Sequence, residues 1–186
     1  VIPRARTCGL FFAWRKAMAR LSESRAGSRN ALAYLDMLAW AEGTSNHPAT
    51  AMDGYDVIVT GIDRKSEVFK DFTDHPFAKG RKSKAINSKG LTSNASGRYQ
   101  QMLKDWPHYQ ALLKLPDFSP ISQDLLALQH VRECRALPDV HAGRIETAIK
   151  KCQGIWASLP GAGYGQREHR IEDLIKQFRL AGGTLS

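Results

Sequence analysis

The sequence predicts an α+β fold, with a mainly helical lobe beside a small β-sheet lobe. Three observations carry that prediction. Apolar residues recur at helical spacing before Glu42, β-branched residues closed by a glycine follow it, and from about Tyr99 onward the apolar pattern is helical throughout. No internal repeat breaks the order.

Leu32, Leu35, Leu38 and Ala39 mark one face of a first helix that runs to about Ala41. Thr, Asn, Pro and Gly residues then make a loop of Gly43–Gly54. Tyr55–Thr60, ended by Gly61, reads as a short strand, and Val68–Phe72 as a second. Lys79–Gly97 is a long loop rich in Lys, Ser, Asn and Gly. Tyr99, Met102, Leu103 and Trp106 share a helical face that Pro107 interrupts. Ser119 and Pro120 start the next helix, the serine as cap and the proline in the first turn. It continues through Leu125, Leu128 and Val131 until Pro138. Ile145–Cys152 forms another helix, and Ile171, Leu174, Ile175 and Phe178 form the last, which Gly182 ends.

The chain of 186 residues is 42% hydrophobic, enough to bury one core. Its net charge of +9 is unevenly spread. Residues 1–30 hold seven basic side chains against Glu23 alone, a balance of +6, and the remaining 20 basic and 17 acidic residues leave only +3. The strong asymmetry belongs to a basic N-terminal extension. In the extension Leu10, Phe11, Trp14, Met18 and Leu21 fit one helical face and Arg15, Lys16 and Arg20 another. That pattern suits either a helix lying on an anionic membrane surface or a disordered arm. The nearly balanced body and the lack of a recognisable motif argue against nucleic acid as a partner.

No apolar run approaches the roughly 18 to 20 residues that span a bilayer. The cluster Leu10–Trp14 is also shorter than a signal-peptide core of about 7 to 15 residues. Cys8, Cys134 and Cys152 make no CxxC pair, and synthesis in a reducing cytoplasm is expected.

Glu42 carries the chemistry. It continues the apolar face of the first helix and stands at the C-terminus, just before Gly43. Partial burial and the negative end of the helix dipole both disfavour its charged form. A carboxyl kept protonated near neutral pH is what acid cleavage of a glycosidic bond needs. The alternative is a solvated glutamate at a fraying helix end.

Other patterns point to no metal and no cofactor. Gly161-Ala162-Gly163-Tyr164-Gly165 follows no β-rich segment and departs from GxGxxG spacing, so it reads as a flexible loop. His130 and Cys134 lie one helical turn apart, but a third ligand is missing. Neither HExxH nor GxSxG occurs. The basic stretch Lys79–Lys89 reads as a solvated surface or a nucleic-acid contact.

Longer blocks carry more information. Leu35-Asp36-Met37-Leu38-Ala39-Trp40-Ala41-Glu42-Gly43-Thr44 resembles the bacteriophage lambda lysozyme family, the phage endolysins. Gly54–Val59, Asp74-His75-Pro76, Gly97-Arg98-Tyr99-Gln100, Asp117–Pro120 and Ser122-Gln123-Asp124 are similar in the same order. So is the twelve-residue block Ile155–Gln166, and the resemblance spans about Ala31 to Gly183. Residues 1–24 have no counterpart in it, so the expected division is a basic N-terminal extension, 1–24, and a catalytic domain, 25–186.

This resemblance implies a lysozyme-like fold with the active-site cleft between the two lobes. It implies a lytic transglycosylase that cuts the β-1,4 bond between N-acetylmuramic acid and N-acetylglucosamine, leaving a 1,6-anhydro ring. Glu42 would be the catalytic acid and base. Tyr55, Ile58, Asp74, His75, Tyr99, Gln100, Tyr164 and Gln166 are the expected substrate-binding residues. Ser158–Gln166 would be one flexible lip of the cleft, and the long basic loop Ala78–Leu91 the other. A true muramidase using Glu42 with Asp53, Asp56 or Asp74 is the alternative, as is, outside enzymes, a cell-wall-binding module. The expected partners are peptidoglycan glycan strands and, through residues 1–24, an anionic outer membrane or lipopolysaccharide. The expected agent is a monomer made in the host cytoplasm that reaches the periplasm or wall through a separate pore.

Overall fold

The first long helix starts at Ser28, whose hydroxyl accepts from the Ala31 amide at 3.1 Å and so satisfies one of the unpaired donors of a helix start. The computed structural model describes residues 20–186. A one-turn helix α1 (Glu23–Ala26) leads into α2 (Arg29–Ala41). The sequence marks one apolar face on α2, yet Ala31–Leu35, Met37–Ala39 and Ala41 are all buried. Four of these are alanines, small enough for neighbours to close in from other sides. Helices α4 (Pro120–Glu133), α5 (Leu137–His141) and α7 (Ile171–Leu180) pack on it, with α6 (Ile145–Cys152) filling in behind. A helix buried nearly all round is the axis of its lobe.

The β lobe is built from very little ladder. Strand β1 (Val57–Ile58) pairs antiparallel with β2 (Glu67–Val68), in register Val57 to Val68. Strand β3 (Lys84–Ala85) pairs with β4 (Thr92–Ser93), in register Lys84 to Ser93. Single bridges, Ile58 to Ser96 and Ser96 to Gln101, stitch the lobe to the following turn. A second apolar cluster of Ile58, Phe69, Phe77, Trp106, Leu115, Phe118 and Leu126 lies under it. Helix α4 serves both lobes. Leu126 enters this cluster, while Ala127, Leu128 and Val131 enter the main one.

The structure corrects several sequence expectations. Lys79–Gly97 is not a plain loop, since it carries the β3–β4 hairpin. Tyr99–Trp106 is not a helix. Its apolar residues lie on turns after Gly97, and helix α3 (Trp106–Leu113) starts where the helix was expected to break. Pro107 stands in the first turn of α3, where a missing N–H costs nothing. The same holds at Pro138, in the first turn of α5, so α4 ends at Glu133 and a new helix follows. Ser119 sits at the cap position of α4 but its side chain caps no amide. Asp117 ties that start instead, accepting from the Ser119 amide at 3.0 Å and from the Ser122 hydroxyl at 3.2 Å.

The domain boundary also moves. Leu21 is 1% exposed in the main core. Its amide donates to Asp124 Oδ2 at 3.0 Å, and Arg20 pairs with Asp36 at 2.8 Å. Residues 20–24 therefore belong to the folded domain and not to the extension. The amphipathic pattern up to Met18, and Cys8, lie outside the described residues.

Candidate active site at the junction of the lobes

Glu42 caps the C-terminus of α2, and the stop is well defined. The Gly43 amide donates to Trp40 O at 2.9 Å and the Thr44 amide to Ala39 O at 3.0 Å. This pair of bonds requires a left-handed residue between them, and Gly43 supplies it with φ +69°. Thr44 is buried, and its hydroxyl lies 3.1 Å from Ala39 O and 2.6 Å from Arg98 O, with one proton to share between them. Helix end and β-lobe turn are thus joined two residues after Glu42.

The half-buried carboxyl of Glu42 is bound by one side chain, Ser158, whose hydroxyl donates to Oε1 at 2.5 Å. Burial pushes its pKa up, and the Ser158 hydrogen bonds only partly oppose that shift. The site thus favours a neutral carboxyl more than water does. His169 closes the other side. Its amide donates to Ser158 O at 2.9 Å, its Nε2 lies 3.0 Å from Ala41 O, and its ring packs on Trp40 at 4.5 Å.

Arg98 is the main tie beneath this junction. Its side chain is 2% exposed and pairs with Asp36 at 2.8 Å and with Asp53, while its guanidinium lies 4.9 Å over the Tyr55 ring. A depression of about 370 Å³ next to the helix end is lined by Asp36, Trp40, Asp53 and Arg98, without Glu42. Its two carboxylates are both in ion pairs, Asp53 with Arg98 and Asp36 with Arg98 and Arg20.

Four of the expected substrate-binding residues are placed below the surface. Tyr55, Ile58, His75 and Tyr99 are all buried. Tyr55 and Tyr99 donate to the same oxygen of buried Asp124, at 2.9 and 2.5 Å. His75 Nε2 faces Gln101 O at 3.1 Å while its Nδ1 accepts from the Phe77 amide. That fixes a neutral ring protonated at Nε2, in line with the downward push of burial on its pKa. These side chains are packed into the fold beneath the junction. Ile58 is a core residue of the β lobe for the reason that made it a strand residue.

Asp74 and Gln100 are half-buried and engaged. Asp74 accepts from Trp106 Nε1 and from the His75 amide, both at 2.7 Å. Gln100, at φ +51°, turns its amide back onto Gly97 O at 3.1 Å. Tyr164, 58% exposed, and Gln166 stand open on the glycine-rich lip. His130 packs between Tyr109 and Trp156. Local spacing singles out none of Ser158, Thr44, Arg98 and His169, although the first three lie in the resembling blocks.

The Endolysin family model matches residues 32–185. The chain belongs to the endolysin family. It is similar to the endolysin of Escherichia phage P2, 62% identical over 156 residues, which are 84% of this chain and 94% of that protein. The endolysin of Escherichia phage lambda is 51% identical over 154 residues, 82% of this chain and 91% of that one. The fold of this endolysin is lysozyme-like. It superposes on bacteriophage lambda lysozyme complexed with a chitohexasaccharide with a TM-score of 0.77 at 46% identity, covering 91% of this chain and all of the other. A second structure of the lambda lysozyme gives a TM-score of 0.73 at 44% identity, with the same coverage.

Proposed function

We propose that this endolysin cuts the glycan strands of bacterial peptidoglycan as a lytic transglycosylase. The observation that carries the reading is the isolation of Glu42. Its carboxyl is biased toward the neutral form where the lobes meet, while the three aspartates that could partner it are committed elsewhere. Asp53 pairs with Arg98, Asp56 accepts from the Thr50 hydroxyl and the Ala51 amide, and Asp74 holds Trp106 and the His75 amide. A hydrolase of the two-carboxylate kind needs a second free group to hold water or attack carbon. A transglycosylase does not, because its nucleophile is a hydroxyl of the substrate.

In this scheme Glu42 gives its proton to the oxygen bridging N-acetylmuramic acid and N-acetylglucosamine, and the C1–O bond breaks. The resulting carboxylate then takes the proton of the muramoyl 6-hydroxyl as that oxygen bonds to C1. The 1,6-anhydro ring closes, no water is consumed, and Glu42 ends protonated as it began. Ser158 steadies the intermediate carboxylate. Tyr164 and Gln166 offer a ring and an amide to the sugars. The chitohexasaccharide bound by the lambda lysozyme is consistent with a glycan in this cleft.

Among the described residues no helix is long and apolar enough to cross a membrane. The proposed route from the host cytoplasm to the wall is a separate pore, with the enzyme acting as a monomer. The basic segment before residue 20 is proposed to meet anionic lipid or lipopolysaccharide on the way.

The test is the product. Purified peptidoglycan digested with the enzyme should yield muropeptides lighter by one water than hydrolytic products. Glu42→Gln should lower the rate by at least about a hundredfold, the usual worth of one acid–base group, with the fold intact by circular dichroism. Asp53→Asn, Asp56→Asn and Asp74→Asn should each keep much of the activity. Full-mass products, together with an aspartate variant as inactive as Glu42→Gln, would establish the hydrolase instead.

A further inference from the structure

The glycine-rich lip has a closed base and an open tip. It leaves at Ser158, bound to Glu42, and returns at His169, bound to Ala41 and to Ser158 itself. Between them Gly161 and Gly163 adopt φ +82° and +73°, and a side chain at Gly163 would meet nothing within 4 Å. A backbone of this kind has many conformations and few internal contacts to choose among them.

One carboxylate ties two of the lip's glycines together. Glu168 Oε2 accepts from the Gly161 amide at 2.8 Å, and Oε1 accepts from the Gly163 amide at 2.8 Å. The carboxylate thus spans the tip, one oxygen to each amide. These two bonds favour its charged form and lower its pKa. Tyr164, next to the second anchored amide, donates its hydroxyl to Gly154 O at 2.8 Å and leaves its ring largely exposed.

We propose that Glu168 is a positioning residue that latches the lip in its glycan-ready shape and so fixes where the Tyr164 ring stands. Its own hydrogen bonds run to the lip backbone, and the part that holds Glu42 is the base of the loop, Ser158. The latch therefore governs affinity more than the chemical step. Without it the tip spreads over conformers that bind no glycan, and apparent affinity falls by the fraction lost. The inference rests on the reading of Ser158–Gln166 as a lip of the glycan cleft.

The test compares wild type, Glu168→Ala and Glu168→Gln by amide exchange and by kinetics on soluble glycan strands. In Glu168→Ala both the Gly161 and Gly163 amides should exchange at least about tenfold faster, the loss of roughly one charge-assisted hydrogen bond each. KM should rise about tenfold on the same scale, while kcat changes less than about twofold. Glu168→Gln keeps one acceptor oxygen, so one of the two amides should stay protected and KM should fall between the others. Unchanged exchange of both amides in Glu168→Ala overturns the latch. So does faster exchange with an unchanged KM, because the tip then has no part in binding. A loss confined to kcat overturns it as well. Glu42→Gln run alongside keeps the readings apart. Activity surviving in that variant refutes the mechanism proposed above, whereas the exchange data judge Glu168 on their own.

Discussion

The helical lobe and the β lobe are held together by different chemistry. Around α2 the contacts are mainly hydrocarbon, with Leu35, Met37, Leu38, Leu174 and Phe178 all fully buried. In the β lobe no strand exceeds two residues, too short for a ladder to hold by itself. There the order comes from buried polar side chains that reach across the chain. Gln123 donates to Tyr55 O and Phe118 O and accepts from the Arg98 amide. Asp124 gathers the Leu21 amide with the hydroxyls of Tyr55 and Tyr99. The helix that ends in Glu42 is thus built on the apolar lobe, while the surfaces facing it are held by polar bolts. Trimming the apolar packing costs the lost burial and a cavity, whereas removing one polar partner leaves the other uncompensated.

The largest expected effect follows from removing Arg98. Arg98→Met keeps bulk but breaks a buried network, since Asp36 is left with Arg20 alone and the bond to the Asp53 carbonyl and the contact over the Tyr55 ring are lost. A loss of about 3 kcal/mol is expected, read as a lowered urea midpoint. A stability equal to wild type would mean that the β lobe does not depend on this bolt. Leu21→Ala tests the apolar side, and a loss of about 2–3 kcal/mol is expected for a fully buried leucine. If instead it is silent, residues 20–24 are an appendage after all.

Glu42 itself should cost stability when charged. Its folded pKa is raised, so the carboxyl contributes fully below the ordinary glutamate range and the contribution is lost as pH rises through the folded value. Glu42→Gln should therefore melt higher than wild type at neutral pH, and the gain should vanish on acidification. A melting temperature that stays equal at both pH values would show that the site does not disfavour the charge. Ser158→Ala removes the donor that favours the carboxylate, so Glu42's pKa should rise further. The alkaline limb of the rate profile, where the acid loses its proton, should move to higher pH. A limb that moves down or not at all would remove Ser158 from the charge balance of the site.

The smallest effect is expected from deleting residues 1–19. Clearing of isolated peptidoglycan and the melting temperature should stay as they were, because the packed domain begins no later than Arg20. Killing of intact Gram-negative cells from outside should fall, and salt should weaken killing by the full chain. Equal killing by the shortened protein would leave the basic segment without an envelope role.

The same contrast decides what the sequence makes legible. The apolar lobe is written in local spacing, so α2, α6 and α7 can be read from their leucines and isoleucines. Glu42 follows from that reading, being the next residue on the apolar face. The bolts are not local. Arg98 meets Asp36 across 62 positions and Ser158 meets Glu42 across 116, and no spacing rule connects them. Tyr99, Met102 and Leu103 mimic a helix because buried turns also need apolar side chains. Tyr55 and Tyr99 look like sugar platforms until Asp124 is seen to claim their hydroxyls. Pro107 and Pro138 mislead because a proline that ends one helix and one that begins the next are the same letter.

One more long-range pairing bears on when the enzyme comes into being. Asn30, in the first turn of α2, donates to Thr184 O at 3.0 Å and accepts from the Thr184 amide at 2.8 Å, 154 positions away. Phe178 and Leu174 of α7 cover the same helix. The helix that ends in Glu42 is therefore left open along one side until residues 171–184 have been made. A chain cut short before Ile171 would hold Glu42 without the wall that encloses its helix.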